Sequence, residues 1–441
     1  MHPATRESVP VLIPRLFEDM VERATFAYIK RTVTLANGVQ SLRVLSVFER
    51  PIELMLATSR YYRETALDVA RTMYELSRPS HKEASAFVIV AIEQTLSQGT
   101  NQATLWSALY LKHPQAVRNA LWFYGAPSIC DALLMSPSEQ WRRLGIELSG
   151  LMTQQQHAAA IEAIPTSELG EPEKLKALGR LDVTGRTVSV VIPNWLANGT
   201  PEQTSSALEF LCVSGIKVSA SLLKASFERS MQNLGVSPLA ADNLDITCAL
   251  LCIHYPGDEG AGLLTRTDIP SDLYLRCMAI LGMSAVLLPV FAEMDCQKEP
   301  LSQSQRELLF MIFGVIPVEL AERPGDPMRR SVALKILAAE VFQANGCATI
   351  TAAKLADWDI ALINGPLWPM AQVRLRNGKP RSKRLDISLM REVSHRMRRW
   401  LYAEYAASSG RVFPLSANDR ASRQTEVLRT LEVVSELLDP Q

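Results

Sequence analysis

The sequence predicts an all-α protein in which pairs of amphipathic helices stack side by side into an α-solenoid. Three observations predict it. Most of the prolines named below open a segment whose apolar residues recur at helical spacing, no strand signals lie between them, and their intervals run from 23 to 37 residues. A period in this range is typical of helical-repeat proteins. These prolines are Pro114, Pro137, Pro172, Pro201, Pro238, Pro270, Pro300 and Pro327.

Length and composition restrict the class of protein. The chain has 441 residues, which is too long for one ordinary compact core and favours several domains or a stacked solenoid. Apolar residues make up 47% and charged residues 21%, as in folded globular proteins. The 46 basic residues equal the 46 acidic ones in number, so no global field attracts nucleic acid or anionic lipid. An electrostatic partner must therefore meet a local patch.

Targeting and redox signals favour a cytoplasmic protein without a membrane span. Charged residues interrupt the first thirty positions, and the longest apolar window, 277–292, is shorter than a span of about 20 residues. The seven cysteines are odd in number and scattered, so we expect reduced thiols. Cys248, Cys252 and His254 lie in or beside an apolar helical run, which favours core residues over metal ligands. No cofactor and no metal are expected.

Residues 1–100 are predicted to form an N-terminal helical cap domain. A first helix over 8–36 places Phe17, Val21 and Tyr28 on one face, and a turn at Asn37-Gly38 ends it. Two further helices are predicted over 41–77, and another over 82–98. This region lacks the proline rhythm of the following one.

Residues 101–360 are predicted to contain the repeats. Ser136-Pro137 and Thr200-Pro201 each offer a capping side chain followed by proline at the first helical position. Leucine–glycine pairs such as Leu144-Gly145 and Leu281-Gly282 are predicted to end units. Each unit is an amphipathic pair that closes its core only by stacking on its neighbours. The pattern resembles divergent HEAT repeats, and an irregular helical bundle is the alternative.

Residues 361–441 are predicted to form a C-terminal region with a basic hairpin and terminal helices. Alternating residues on either side of Asn377-Gly378 predict a short β-hairpin near 372–386. A helix over 388–407, stopped near Gly410, is predicted to follow it.

The sharpest charge feature is the segment 374–399, with ten basic residues against two acidic ones. Helical spacing puts Arg398 and Arg399 on a side that we expect to face water, opposite Met397 and Trp400. Such a surface fits an acidic protein partner, and the alternative is a solvated face matched by acids elsewhere. The candidate partner-binding residues are Arg374, Arg376, Lys379, Arg381, Lys383, Arg384, Arg391, His395, Arg398 and Arg399.

Signals for catalysis are weak. The chain has six histidines and carries no nucleophile elbow, phosphate-binding loop, zinc-protease or dinucleotide-binding motif. No catalytic residue is assigned, and we predict a protein that is not an enzyme. No aromatic side chains alternate with the arginines of 374–399, which disfavours binding of single-stranded nucleic acid.

The chain resembles a family of accessory proteins that bacterial type VI secretion gene clusters encode and that carry HEAT-like helical repeats. The helix Phe17 to Arg31 resembles the opening segment of that family. The strongest local match is the C-terminal part, with Trp400 to Glu404, Phe413-Pro414-Leu415 and Ala421-Ser422-Arg423-Gln424. The regular alanine–leucine–arginine repeats of the family are fewer here. The resemblance implies a cytoplasmic accessory or adaptor role near the secretion machine and brings no catalytic residues.

The sequence therefore predicts a non-enzymatic protein-binding scaffold or adaptor. A nucleic-acid-binding or base-excision protein with a HEAT-like fold is one alternative, and steep loss of DNA affinity with added salt distinguishes it. An immunity protein that neutralises a secreted effector is another, distinguished by tight one-to-one binding.

Overall fold

The structure, a computed structural model, describes residues 9–38, 40–94, 107–124, 127–152, 171–180, 190–282, 301–314, 374–380, 387–413 and 415–437. These residues form an all-α protein, as predicted, with one very short β-hairpin. The chain divides into two compact units, one of Met1–Thr187 with Pro414–Gln441 and one of Val188–Phe413. The predicted segment boundaries at 100 and 360 both fall inside these units.

The first unit combines helices from both ends of the chain. They are α1 (Val9–Asn37), α2 (Leu42–Ser59), α3 (Arg63–Leu76), α4 (Pro79–Gln94), α5 (Ser107–Lys112), α6 (Pro114–Tyr124), α7 (Pro127–Leu134), α8 (Glu139–Met152), α9 (Glu171–Arg180) and, from the C-terminal part, α19 (Ala421–Leu437). Sequential neighbours pack on each other, as in α1 with α2 and α7 with α8. Helix α19 packs on α2.

Helix α4 is the centre of this unit. Every residue from Ala84 to Gln94 is buried, which is typical of a helix that is enclosed on all sides. Helix α1 packs on α4 through a stripe that includes Phe17, Val21 and Tyr28, and the rings of Tyr28 and Phe87 stack with their centroids 4.0 Å apart. The predicted first helix is confirmed, and Gly38 follows it with a left-handed φ of 67°.

The second unit contains the remaining elements. They are α10 (Ile192–Asn198), α11 (Pro201–Ser214), α12 (Ala220–Gln232), α13 (Ala240–His254), α14 (Asp258–Leu263), α15 (Ser271–Leu281), α16 (Gln303–Phe313), β1 (Leu375–Arg376), β2 (Lys379–Pro380), α17 (Leu389–Glu392) and α18 (His395–Ser409). Helix α13 is the central element, with Asn243 to Cys252 all buried, and it packs against α11, α12, α15 and α18.

Capping side chains explain where several helices begin. Thr200 accepts a hydrogen bond from the amide of Gln203, and the Gln203 side chain accepts from the amide of Thr200, a reciprocal capping box beside Pro201 at the first helical position. The prediction for Ser136-Pro137 is wrong, because α8 begins at Glu139 and Ser136 instead accepts from the amide of Ser138 in the preceding turn.

Glycines end several helices in the left-handed conformation, at Gly215, Gly282, Gly314 and Gly410. Gly145 does not end a helix and lies inside α8. A Cβ there would approach the amide nitrogen of Leu134 to 2.9 Å, so Gly145 allows α8 to pack closely on α7. The prediction that Leu144-Gly145 ends a unit is therefore wrong.

The C-terminal elements of the second unit differ in part from their prediction. The hairpin has a two-residue antiparallel ladder, Leu375 with Pro380 and Arg376 with Lys379, around a turn at Asn377-Gly378. The helix predicted over 388–407 is two helices, since Ser394 is an extended N-cap that accepts from the amide of Met397. Positions 372, 373 and 381–386 of the predicted hairpin, the apolar residues 283–292 and the helix after Pro327 lie outside the described residues.

Among the described helices, none combines the length and the apolar character that crossing a bilayer requires.

Candidate functional site

The basic segment begins with the hairpin, which lies against the ends of two helices. The amide of Leu375 donates to the carbonyl of Gly282 at 2.7 Å, and the amide of Asn377 donates to the carbonyl of Met311. Arg376 is therefore held inside the unit, where only 7% of it is exposed. It donates to Glu404 Oε2 at 3.0 Å and to the Ile280 carbonyl at 2.8 Å, so its charge is paired inside the second unit.

Helix α18 also turns arginines inward. Arg398 has no exposed surface, and Arg399 contacts Asp242 Oδ1 at 2.7 Å and Glu209 Oε1 at 3.6 Å. Burial lowers the pKa of Arg399, but the two carboxylates raise it by more, so the net shift is upward. The expectation that both arginines face water is wrong for Arg398, whereas Arg399 keeps 26% of its side chain exposed beside the two carboxylates. Because α18 packs on both α11 and α13, more of its circumference is buried than the apolar stripe predicts.

The other candidates in the segment lie in different surroundings. Lys379 is exposed, Arg391 and His395 are half-buried, and the side chain of Arg374 donates to the carbonyl of Pro256. Arg381, Lys383 and Arg384 lie outside the described residues. The predicted residues that the structure describes therefore do not form one exposed cationic face, and several of them are built into the second unit.

A buried network surrounds the indole of Trp400. Arg276 Nη2 lies 2.6 Å from Asp245 Oδ1, and Trp400 Nε1 donates to Asp245 Oδ2 at 3.0 Å. The guanidinium of Arg276 also lies 5.9 Å from the ring centroid of Trp400. Asp245 thus has a donor on each oxygen, which is the condition under which a carboxylate is tolerated in a protein interior.

A buried glutamate holds the start of α18. The amide of Ser394 donates to Glu307 Oε1 at 2.6 Å, and Glu307 is only 7% exposed. Burial raises the pKa of this carboxyl above its ordinary value of 4.5, and the hydrogen bonds of Ser394 and the charges of Arg276 and Arg398 oppose the shift only in part.

The raised pKa of Glu307 makes stability depend on pH with a defined sign. Between the ordinary glutamate pKa and the raised one, the folded protein keeps a proton that the unfolded chain has lost. The stabilisation is complete below about pH 4.5 and is lost as the pH rises through the folded pKa. We expect Glu307→Gln to flatten this part of the pH profile. Urea unfolding of both proteins between about pH 5 and pH 8 measures how the free energy of unfolding depends on pH. Parallel profiles would contradict the assignment.

The central cysteines form a buried thiol cluster. Cys248, Cys252 and Cys277 are free and fully buried, and Cys277 forms hydrogen bonds with the other two. Burial raises the pKa of Cys248 well above the ordinary thiol value. Within the part of the chain that the structure describes, no set of three or more histidine, cysteine, aspartate and glutamate side chains is arranged to hold a metal ion.

An open polar groove of about 590 Å³ lies in the first unit, beside α5, α6 and α8. Two ion pairs line it, Arg118 with Glu147 at 2.6 Å and Arg143 with Glu139 at 3.9 Å. The opposite charges satisfy each other, so the groove has no strong preference for an anion or a cation.

A different surface, the outer face of α2, combines exposed apolar and basic side chains. We call it the α2 ridge, and it consists of Arg43, Val47, Arg50, Leu54 and Ala57 of α2 together with Tyr61, which lies in the turn after α2 ends at Ser59. The exposed fractions of Val47, Leu54 and Tyr61 are 63%, 61% and 83%. The opposite face of α2 is buried through residues that include Leu45, Ile52 and Met55. At a rise of about 1.5 Å per residue the helical part of the ridge, from Arg43 to Ala57, is about 21 Å long.

The charges of α2 are divided between these two faces. Glu49 is buried and binds Arg31 at 2.6 Å, while Glu53 accepts from the hydroxyl of Ser422. Both acids of the helix therefore have partners away from the ridge. Within the described residues, no hydrogen bond or ion pair engages the guanidinium of Arg43 or Arg50. The α2 ridge is thus a narrow surface with uncompensated positive charge, and the prediction of basic residues over 374–399 missed it.

Comparison of the chain with models of protein families, with curated proteins and with solved structures finds no match.

Proposed function

We propose that the protein is a non-enzymatic helical scaffold that binds a protein partner with an acidic surface, and that the α2 ridge is the contact. The observation that carries the proposal is the exposure of Val47, Leu54 and Tyr61 in line with Arg43 and Arg50, whose guanidinium groups have no hydrogen-bond or ion-pair partner among the described residues. Exposed apolar side chains gathered on one surface are typical of interaction sites. The arginines would select an acidic partner and speed its association.

Stacked helical pairs of the HEAT type form part of the same proposal. Packing between sequential helices supports it, as in α7 with α8, α8 with α9, and α12 with α13. A role as a cytoplasmic accessory of type VI secretion is proposed from the sequence resemblance alone. The proposed contact moves from 374–399 to the α2 ridge, since Arg376 and Arg398 are buried.

Site-specific photo-crosslinking in the cells that encode the protein tests this function. With a benzophenone amino acid in place of Leu54, we expect one abundant protein adduct, identified by mass spectrometry. The double variant Arg43→Glu, Arg50→Glu should reduce its yield about tenfold or more, because like charges then face each other across the contact.

Val236 is the matched control position, since it is 80% exposed and belongs to the second unit. The same crosslinker at Val236 should not give that adduct. No protein adduct at Leu54, or equal adducts at both positions, would contradict the proposed function. Adducts to nucleic acid instead of protein would favour the nucleic-acid-binding alternative.

A further inference from the structure

The α2 ridge has the spacing of a coiled-coil seam. Its members follow one another at intervals of four, three, four, three and four residues, and they are Arg43, Val47, Arg50, Leu54, Ala57 and Tyr61. Alternation of three and four residues keeps side chains on one line of a helix, and it lets a second helix pack alongside through knobs into holes. The helical part of this line, from Arg43 to Ala57, is about two heptads long, and Tyr61 extends it in the turn after α2.

The two sets of heptad positions differ in chemistry. One set holds Arg43, Arg50 and Ala57, and the other holds Val47, Leu54 and Tyr61, each with seven-residue spacing. A facing helix that fits this seam needs carboxylates opposite Arg43 and Arg50 and apolar side chains opposite the other members. Charged residues at such positions select the partner and its register, while the apolar ones contribute the hydrophobic burial.

Resting on the proposed scaffold function, we propose that the α2 ridge binds one acidic amphipathic helix of the partner, with carboxylates and apolar side chains at alternating four- and three-residue spacing. The contact is one helix wide, follows α2 from Arg43 to Ala57 and reaches Tyr61 in the turn after it. Two carboxylates of the partner then pair with Arg43 and Arg50, and its apolar side chains cover the apolar members of the ridge.

A second copy of this chain fits the seam poorly. In a parallel self-pair, Arg43 and Arg50 meet the same arginines of the other copy, and like charges at these positions are unfavourable. In an antiparallel self-pair, the arginines lie against Val47, Leu54 or Tyr61, which leaves their charges desolvated without a counter-ion.

Membrane and nucleic acid also fit less well than an acidic helix. Helices that bind at a bilayer interface use a broad apolar face, and the apolar members of the α2 ridge form a single line broken by arginines. Nucleic acid would engage Arg43 and Arg50 and leave Val47, Leu54 and Tyr61 exposed to water, since phosphate contacts use the charge alone.

A synthetic peptide tests the pairing directly on the full-length protein. The probe is a fluorescent helical peptide of about 21 residues, three heptads, with glutamate and leucine at the alternating seam positions. Fluorescence anisotropy should show binding at least about tenfold tighter than for a peptide of the same composition in scrambled order.

Charge exchange makes the test specific. The double variant Arg43→Glu, Arg50→Glu should lose the acidic peptide and gain a peptide with lysine in place of glutamate. Arg411→Glu, at an exposed residue of the second unit, is the matched control and should bind as the unchanged protein does. Equal affinities for the ordered and scrambled acidic peptides would overturn the inference.

The remaining outcomes separate this inference from the proposed function. Binding to vesicles of about one-third phosphatidylserine that is lost in the double variant would assign the ridge to a membrane and overturn the inference. Self-association in sedimentation that is lost in the double variant would assign it to a second copy, with the same consequence. A protein adduct at Leu54 without a preference for the ordered peptide overturns the inference and leaves the function standing, whereas no adduct at Leu54 removes both.

Discussion

Replacing Glu49 with alanine is expected to destabilise the first unit by about 3–5 kcal/mol, because it leaves Arg31 as a buried charge without its carboxylate. Glu49 is 1% exposed and binds Arg31 Nε through Oε1 at 2.6 Å. Its other oxygen accepts from the amide of Ala421 at 2.6 Å, at the first residue of α19. The substitution therefore removes an ion pair and the acceptor at a helix N-terminus together.

Glu53→Ala is the matched control for Glu49→Ala. Glu53 lies one turn further along α2 and accepts an exposed hydrogen bond from the hydroxyl of Ser422. Its loss should cost about 1 kcal/mol or less. Urea unfolding, with hydrogen exchange read from peptides of α1, α2 and α19, measures both variants. Equal losses in the two variants would show that the buried pair contributes little.

Glu49→Gln should lose less than Glu49→Ala, because the amide oxygen can still accept from Ala421. Burial raises the pKa of Glu49, although Arg31 opposes the shift, which indicates that the charged form is costly in this interior. The double variant Arg31→Met, Glu49→Met should recover part of the loss, since it removes both charges from the interior.

Gly215→Ala is the second substitution for which we expect a large effect, about 3–5 kcal/mol in the second unit. Gly215 ends α11 with φ at 68°, a conformation that costs other residues about 1–2 kcal/mol. An added Cβ would also overlap the backbone of Ala406 in α18, and backbone cannot move aside as a flexible side chain does. The contact between α11 and α18 would have to open.

Gly410 and Gly235 separate backbone strain from crowding. Both have positive φ, at 64° and 82°, and a Cβ at either would meet nothing within 4 Å. Alanine at these positions should therefore cost only about 1–2 kcal/mol. The difference in unfolding free energy between Gly215→Ala and these two controls measures the packing of α11 on α18. A Gly215→Ala loss no larger than theirs would contradict the close approach.

Local signals in the sequence were sufficient for many helix boundaries. The stripe through Phe17, Val21 and Tyr28 predicted α1, and Thr200-Pro201 predicted the start of α11, because both signals act within a few residues. Gly410 marked the end of α18 for the same reason. The glycine signal for a helix end failed at Gly145. Glycine is needed there because the backbone of Leu134 in another helix lies close, and not because the chain turns.

The candidate site was harder to predict, because charge partners lie far apart in the chain. Arg376 pairs with Glu404, and Arg399 pairs with Asp242 from α13, 157 positions away. The composition of segment 374–399 shows how many arginines it contains, but it does not show which acids elsewhere in the chain pair with them. Glu404 itself was a hint, since it interrupts the apolar run Trp400 to Ala403 and so needs a buried partner.

The α2 ridge left a signal that the amphipathic interpretation overlooked. The spacing from Arg43 to Ala57 was readable in the sequence as a second stripe on the same helix. Its exposure was not readable, because the sequence does not tell which of two stripes faces the core. Burial of Ile52 and Met55, on the opposite side, decides this question.

The contact between Glu49 and Ala421 has a consequence for how the protein is made. A ribosome releases α1 and α2 long before it has translated α19, and the whole of Val188–Phe413 is synthesised in between. During that interval Arg31 and Glu49 emerge without the backbone of residues 418–421 that completes their hydrogen bonds. The N-terminal helices therefore lack these hydrogen bonds until residues 418–421 have been translated. A molecule that stalls before residue 415 leaves a surface for chaperones to bind.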